Sequence, residues 1–217
     1  MKIMKYSTAL FERLKPEKQD RILTIASKEF AALGYKTANI NIIADKCGIS
    51  VGSLYKYFGT KENLFLTVCS LTVDALKSAL EQVEQIDGGF FVKVEQILRI
   101  IQIHSRQNPD TIHLYNEVTT QGNRELTAKL SYEMESVSAE YYSRLICEAR
   151  EMGEIASDVD DRMAAFCLDN LFMALQFSYA TEFYQERMKI YVDSNIFDDD
   201  ERVLKRTMDF IRRALRA

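Results

Sequence analysis

A chain of 217 residues, 47% apolar, with only two prolines and eight glycines, can fill a substantial core and has little to interrupt helices, which points to an all-α fold. The net charge of −4 would by itself speak against a nucleic-acid partner. It is unevenly spread, however: residues 1–65 carry eleven Lys/Arg against six Asp/Glu (+5), and the remainder seventeen against twenty-six (−9). A positive head on an acidic body suits phosphate recognition while discouraging non-specific adhesion.

In chain order, Ala9, Leu10, Phe11 and Leu14 form a short leading helix that ends before Pro16, and a helix over residues 21–35 follows. Asn39 caps a helix over Ile40–Cys47, in which Ile40, Ile43 and Ala44 make an apolar stripe at i, i+3, i+4. Gly48 supplies the left-handed residue that ends it, Ile49 pins the turn, and Ser50 caps the next helix, Val51–Phe58. Leu54 and Phe58, four apart, face the core. Val51, Gly52, Ser53, Tyr55, Lys56 and Tyr57 are then left outside. A helix-turn-helix that presents small, hydroxylated and cationic groups has the chemistry of a duplex DNA reader. Thr60 caps the following helix, whose first turn holds Lys61. A cation there opposes the helix dipole, which an anionic partner such as phosphate would explain.

The runs RILTIASKEFAALGY (21–35), NINIIADKC (39–47) and GISVGSLYKYFGTKENLF (48–65) resemble the DNA-binding domain of TetR-family transcriptional regulators. The resemblance covers about the first third of the chain and includes three helices in order at the family's spacing. It implies an N-terminal three-helix domain over residues 1–65, followed by a larger helical ligand-binding and dimerisation domain over 66–217. It also puts Asn39, Val51, Gly52, Ser53, Tyr55, Lys56, Tyr57 and Lys61 at DNA-facing positions. Asn41 joins them as a departure, since many relatives carry a basic residue there, and Val51 is often polar or basic elsewhere; both would shift base preference. Lys61, Tyr57 and Asn39 suit phosphate contacts, which set register without reading sequence. Gly52 lets the backbone approach the groove wall. Val51 suits a thymine methyl, and Ser53, Tyr55 and Lys56 suit base edges or flanking phosphates.

Beyond residue 65 the pattern stays helical. The helix begun at Thr60 is expected to run to about Ile86, ended by Asp87-Gly88-Gly89. Others are expected at Phe90–Arg106, Thr111–Thr120 with a turn at Gln121-Gly122, and from a cap at Asn123 to Met152. A further one opens at Asp158 or Asp160 and runs through Phe183, and a last helix begins in the acidic run 198–201. Its N-terminal acids and C-terminal Arg212, Arg213 and Arg216 match the helix dipole at both ends.

The stretch 163–177 is apolar on nearly all sides, and Val203, Leu204, Thr207, Met208, Ile211 and Leu215 form one stripe on the last helix. Paired with their symmetry mates, these helices would build a four-helix dimer interface that includes Phe166 and Leu171, as the resemblance also implies. The resemblance further implies a sensing pocket walled by Phe91, Ile101, His104, Tyr115, Phe166, Phe172 and Phe177. Its aromatic and aliphatic content suits an apolar or amphipathic effector, with His104, Tyr115, Asn170 or Gln176 fixing a polar group.

The four cysteines, Cys47, Cys69, Cys147 and Cys167, form no CxxC pair and read as buried free thiols. No metal site or cofactor is expected, because His104 and His113 lack ligands at a completing spacing. No apolar stretch of about 18 residues and no signal segment are discerned, so a cytoplasmic protein is expected. With no GxSxG, HExxH or phosphate-cradling glycine loop, catalysis is not indicated. The reading is a ligand-responsive regulator, a repressor that binds a palindromic operator as a homodimer. The alternatives are an activator of the same fold, or a helical small-molecule-binding or protein-interaction module without sequence-specific DNA binding.

Overall fold

The computed structural model describes residues 6–120 and 124–216, with the backbone alone for 117–120, 124–127 and 129–130. Among the described residues the regular structure is helical: α1 (Ala9–Glu12), α2 (Pro16–Thr37), α3 (Ile40–Cys47), α4 (Val51–Phe58), α5 (Lys61–Glu84), α6 (Phe90–Gln107), α7 (Pro109–Thr120), α8 (Arg124–Glu151), α9 (Asp161–Ala180), α10 (Glu182–Tyr191) and α11 (Asp200–Leu215). A single 3₁₀ turn, Ile196–Asp198, precedes α11. The expected cap at Asn123 and the turn at Gln121-Gly122 lie outside the described residues.

Local chemistry accounts for most boundaries. Pro16 opens α2, where its missing N–H costs nothing. Gly34 breaks the helical geometry of α2 with φ +70°, so the final turn, Tyr35–Thr37, leaves at a new angle and Tyr35 packs its ring 4.9 Å from Phe65. The Asp160 carboxylate accepts from the Met163 N–H to start α9, and Asp199 accepts from Arg202 to start α11. Glu154 reaches back to accept from the Phe90 N–H at 2.9 Å and so begins α6.

Most ends fall within a few residues of expectation, but the end of α9 differs in kind. The helix expected through Phe183 stops at Ala180: Thr181 is extended (φ −118°, ψ 137°), and both its N–H and its hydroxyl donate to the Phe177 carbonyl. A β-branched residue whose hydroxyl competes for the backbone can end a helix without glycine or proline.

Two compact units result. The first comprises Met1–Asp74 with His113–Met134, the second Ala75–Ile112 with Glu135–Ala217. The first unit thus takes in the expected head, residues 1–65, together with the chain to residue 74 and the segment 113–134. In the first unit, Phe11, Ile22, Phe30, Ile43, Leu54, Phe58, Leu64, Phe65, Leu114 and Met134 share a core. The second unit is built on Val83, Phe90, Leu98, Ile146, Phe172, Val203, Met208 and Ile211. Helix α5 supplies Leu64–Cys69 to the first core and Leu80 and Val83 to the second. Contrary to the sequence reading, α5 is long and apolar enough to cross a membrane by length and composition; its apolar positions are those that fill the two cores.

The second unit also carries a polar network that runs from buried Gln102 and Tyr179 to the solvent-exposed side chains of Arg106 and Asp200. Gln102 donates to the Tyr179 hydroxyl (2.9 Å) and to the Asp200 carbonyl (2.8 Å), and the Tyr179 hydroxyl donates to the Asp200 carboxylate (2.9 Å). Arg106 pairs with the same carboxylate at 2.8 Å. Each buried polar group there has a partner, so the network ties α6 and α9 to the start of α11 without an orphaned charge.

Candidate functional site

The head's third and fourth helices meet the capping expectations. The Asn39 side chain accepts from the Asn41 N–H at 2.8 Å. Gly48 adopts the left-handed conformation (φ +66°), and Ser50 accepts from the Ser53 N–H at 3.1 Å. The back of α3 is held by a Lys46–Glu29 ion pair at 2.7 Å, in which Glu29 is buried. At the end of α4 the last four carbonyls all find donors. Tyr55 O accepts from Gly59 N, Phe58 O from the Asn63 side chain, and Lys56 O and Tyr57 O from Thr8. An eight-residue helix capped at both ends is a rigid platform.

The outward face of that platform holds Gly52, Tyr55 (47% exposed) and Lys56, flanked by half-buried Val51 and Ser53, with Asn39 and Asn41 exposed on the neighbouring helix. Tyr57 does not join them. It is 8% exposed and packs its ring 5.9 Å from Phe11, because it lies three residues after Leu54 and so shares the inward stripe. Its ring is therefore part of the core and does not stand on the outer face where the sequence reading put it.

Lys61 has a local partner. Its ammonium donates to the Lys36 carbonyl at 3.1 Å and sits 5.1 Å from the Tyr35 ring centroid. Partial burial lowers its pKa below the ordinary lysine value. The cation at the start of α5 thus serves the C-terminal end of α2, where the dipole favours it.

Gly52 is the most telling of the exposed residues. A Cβ built on it would meet nothing closer than the Ser50 hydroxyl, at 3.9 Å, and it sits within regular helix. Nothing within the chain requires a glycine at a position where alanine is better by about 1 kcal/mol. Gly52→Ala is therefore expected to stabilise the head by roughly 0.5–1 kcal/mol in urea denaturation. It should also weaken any ligand that approaches α4 closely. Unchanged affinity for duplex DNA would remove Gly52 from the contact surface.

The expected pocket wall is dispersed. Ile101, Phe172 and Phe177 are buried in core packing, the last two against Tyr142 (5.4 Å) and Tyr184 (5.1 Å). Phe166 is 64% exposed, and Asn170 donates to the Phe166 carbonyl of its own helix at 2.7 Å. Tyr115 belongs to the first unit and the others to the second. Helix α6 packs on α9, and half-buried His104 and Gln176 lie on those two helices. Burial lowers the His104 pKa, which favours a neutral imidazole. A separate groove of about 550 Å³ is lined by Phe91, Gly153, Glu154, Arg212 and Arg216.

The expected dimer stripe is also corrected. Val203, Leu204, Met208 and Ile211 are buried in their own unit, with Leu171 and Leu215 packed partly against the same core, and Thr207 is half-buried. The exposed large apolar side chains of this unit include Met163 and Phe166 of α9, the latter one of the expected interface residues, with Phe210 of α11 and Phe183, Ile190 and Tyr191 of α10. Cys47 and Cys69 are buried as expected, but Cys147 is half-buried and Cys167 exposed.

A capped helix-turn-helix in a small helical head, joined by a shared helix to a larger helical body, defines the class of helix-turn-helix transcriptional regulators. Residues 22–68 match the family of bacterial regulatory proteins, tetR family, and this DNA-binding domain belongs to the TetR family. It is 24% identical over 166 residues to the HTH-type transcriptional regulator YhgD of Bacillus subtilis, spanning 75% of this chain and 84% of that protein. A TetR-family regulator from Chloroflexus aurantiacus superposes with a TM-score of 0.70 at 23% identity, covering 97% of this chain and 99% of that one. The regulator FadR of Bacillus subtilis, solved in complex with stearoyl-CoA, superposes with a TM-score of 0.67 at 18% identity, over 87% and 94% of the two chains. The family is one of transcriptional regulators and is not enzymatic.

Proposed function

We propose that this regulator is a repressor that binds a palindromic DNA operator as a homodimer and is released by a small amphipathic effector. The observation that carries the reading is the outer face of α4, where Gly52 stands without an internal reason beside exposed Tyr55 and Lys56. Val51, Ser53, Asn39 and Asn41 complete the contact surface, with Lys61 at its edge. A single eight-residue helix reads few base pairs, so two copies about 34 Å apart on one face of the duplex supply the specificity. The second copy is met through the open apolar residues of α9 and α11. A DNA reader of this kind works in the cytoplasm.

Effector control follows from α5, which contributes to both cores. A ligand in the body that shifts the far end of α5 alters the set of the heads, and linkage then requires DNA to weaken ligand binding by the same factor. Couplings of this sort are about 1–3 kcal/mol, or roughly 5–150-fold in operator affinity. The α6–α9 seam with His104 and Gln176 is the proposed wall. The stearoyl-CoA held by the FadR structure supports an effector with a long apolar part.

The test is selection of duplexes from a random-sequence pool by the full-length protein, followed by anisotropy titration at several salt concentrations. An inverted repeat should emerge; a protein that enriches no sequence is not a sequence-specific regulator. A panel of acyl-CoA thioesters of graded chain length, added to the complex, tests release. Lys61→Ala is expected to cost about 0.5–1 kcal/mol of head stability through the lost Lys36 bond. It should also flatten the slope of log affinity against log salt by about one unit per protomer. A slope identical to wild type would leave Lys61 with its structural role only.

A further inference from the structure

Thr8 stands at the N-cap of α1 with extended backbone (φ −89°, ψ 158°), yet its hydroxyl makes no capping bond there. Threonine at such a position ordinarily accepts from the helix's own first amides. Here the hydroxyl donates to the Lys56 carbonyl at 2.9 Å, and the Thr8 N–H donates to the Tyr57 carbonyl at 2.8 Å, 48 and 49 residues further along the chain. One residue therefore closes two of the open carbonyls at the end of α4. The anchoring is reinforced beneath it: Phe11 is fully buried, with its ring 4.6 Å from Phe58. The Gln19 amide donates to the carbonyls of Phe11, Glu12 and Leu14 at 3.0–3.1 Å, fastening α1 to α2.

Two residues before Thr8, the Tyr6 hydroxyl donates to the Glu133 carboxylate on α8 at 2.5 Å. Glu133 lies in the part of α8 that belongs to the first unit, and the same helix continues into the second from Glu135. The Glu133 carboxylate also stands near Cys69 of α5. Burial, with that carboxylate adding to it, pushes the Cys69 thiol up to about 12. The strap, α8 and α5 thus come together at Glu133.

We propose that Tyr6–Thr8 is a strap that joins helix α8 to the end of the recognition helix, which makes Thr8 and Tyr6 positioning residues for DNA binding and supplies a second route, besides α5, from body to head. The proposal rests on the DNA-reading function above. Its logic is geometric. Lys56 and Tyr55 reach the duplex from the last turn of α4, and that turn has no partner of its own for two of its carbonyls. Whatever moves α8 along its axis pulls on Tyr6, and Thr8 passes the displacement to Lys56 and Tyr57.

The experiment uses full-length protein, a duplex selected by the wild type from a random pool, and a scrambled duplex of equal length. Thr8→Val is expected to lower affinity for the selected duplex about threefold to tenfold, the scale of one lost hydrogen bond, while leaving the scrambled duplex unaffected. A merely structural role would depress both affinities together by lowering the folded fraction. Thr8→Ser should restore the ratio. In amide hydrogen exchange, binding of the selected duplex should slow residues 135–151 in the wild type, and Tyr6→Phe should abolish that slowing while residues 55–58 remain protected. A wild-type protein that selects no duplex removes the DNA-reading function and the strap with it. If the wild type selects its duplex, the strap alone is overturned by either of two results: unchanged ratios in Thr8→Val, or an exchange response in 135–151 that is missing in the wild type or retained in Tyr6→Phe.

Discussion

Phe58→Ala should destabilise the first unit by about 3–5 kcal/mol, the usual cost of emptying a phenylalanine site in a packed core. The side chain is 1% exposed and lies against Phe11 in the core it shares with Leu54. It therefore sits where α1 and α4 meet, and the small leading helix cannot follow the cavity inward while Gln19 and Thr8 hold its ends. A loss of this size is a large part of the 5–15 kcal/mol that small domains possess. DNA binding should fail through unfolding, with selected and scrambled duplexes affected alike. Tyr55→Ala provides the contrast: its ring is half in solvent, so stability should change by about 0.5 kcal/mol or less, while affinity for the selected duplex falls. Urea denaturation followed by circular dichroism checks both. A midpoint in Phe58→Ala equal to that of Tyr55→Ala would mean that α1 does not pack on α4 as described.

The sequence was most legible where the determinants are local. Asn39, Gly48 and Ser50 set the ends of α3 and α4 through bonds that span two or three residues, and each performs as its chemistry requires. Tyr57 was misplaced although its signal was present. The spacing that turns Leu54 and Phe58 inward also includes the residue three after Leu54, and the phenolic oxygen drew attention from the ring. The bond from Thr8 to Lys56 spans 48 residues and leaves no local trace. The same is true of Leu114 and Met134, which join the head's core from far along the chain. Helix α11 teaches a different limit. An apolar stripe says that a face is buried, and says nothing about what buries it; Val203, Leu204, Met208 and Ile211 proved to face their own unit. The break at Thr181 was invisible because the residue that ends α9 is neither glycine nor proline.

That reassignment of α11 leads to a test of the dimer. Helix α9 buries Ala164, Ala165, Leu168, Phe172 and Leu175, whereas Met163 and Phe166, on the same helix, are 60% and 64% exposed. Phe210 of α11, seven residues after Val203 and so at the edge of the buried stripe of its own helix, is 63% exposed. Under the proposed homodimer, these three large apolar side chains, held in water on helices otherwise well packed, are the ones a partner would cover. In a two-fold dimer each of them enters the interface twice. Phe166→Glu should therefore raise the dimer dissociation constant by at least ~100-fold, since a buried aromatic anchor contributes about 2 kcal/mol or more and two charges must now be desolvated. The monomer should keep its stability, because the ring touches little of its own chain. Val203→Ala makes the opposite prediction: a cavity at a site 1% exposed should cost stability by roughly 1 kcal/mol or more without a specific effect on association. Sedimentation at micromolar and nanomolar concentrations separates the two. A Phe166→Glu protein that remains dimeric at nanomolar concentration would move the interface off this face of α9. The exposed Phe183, Ile190 and Tyr191 of α10 would then be the next surface to alter. Operator binding reports the same event independently, because a monomer meets one half-site at a time and loses the joint affinity that two linked heads provide.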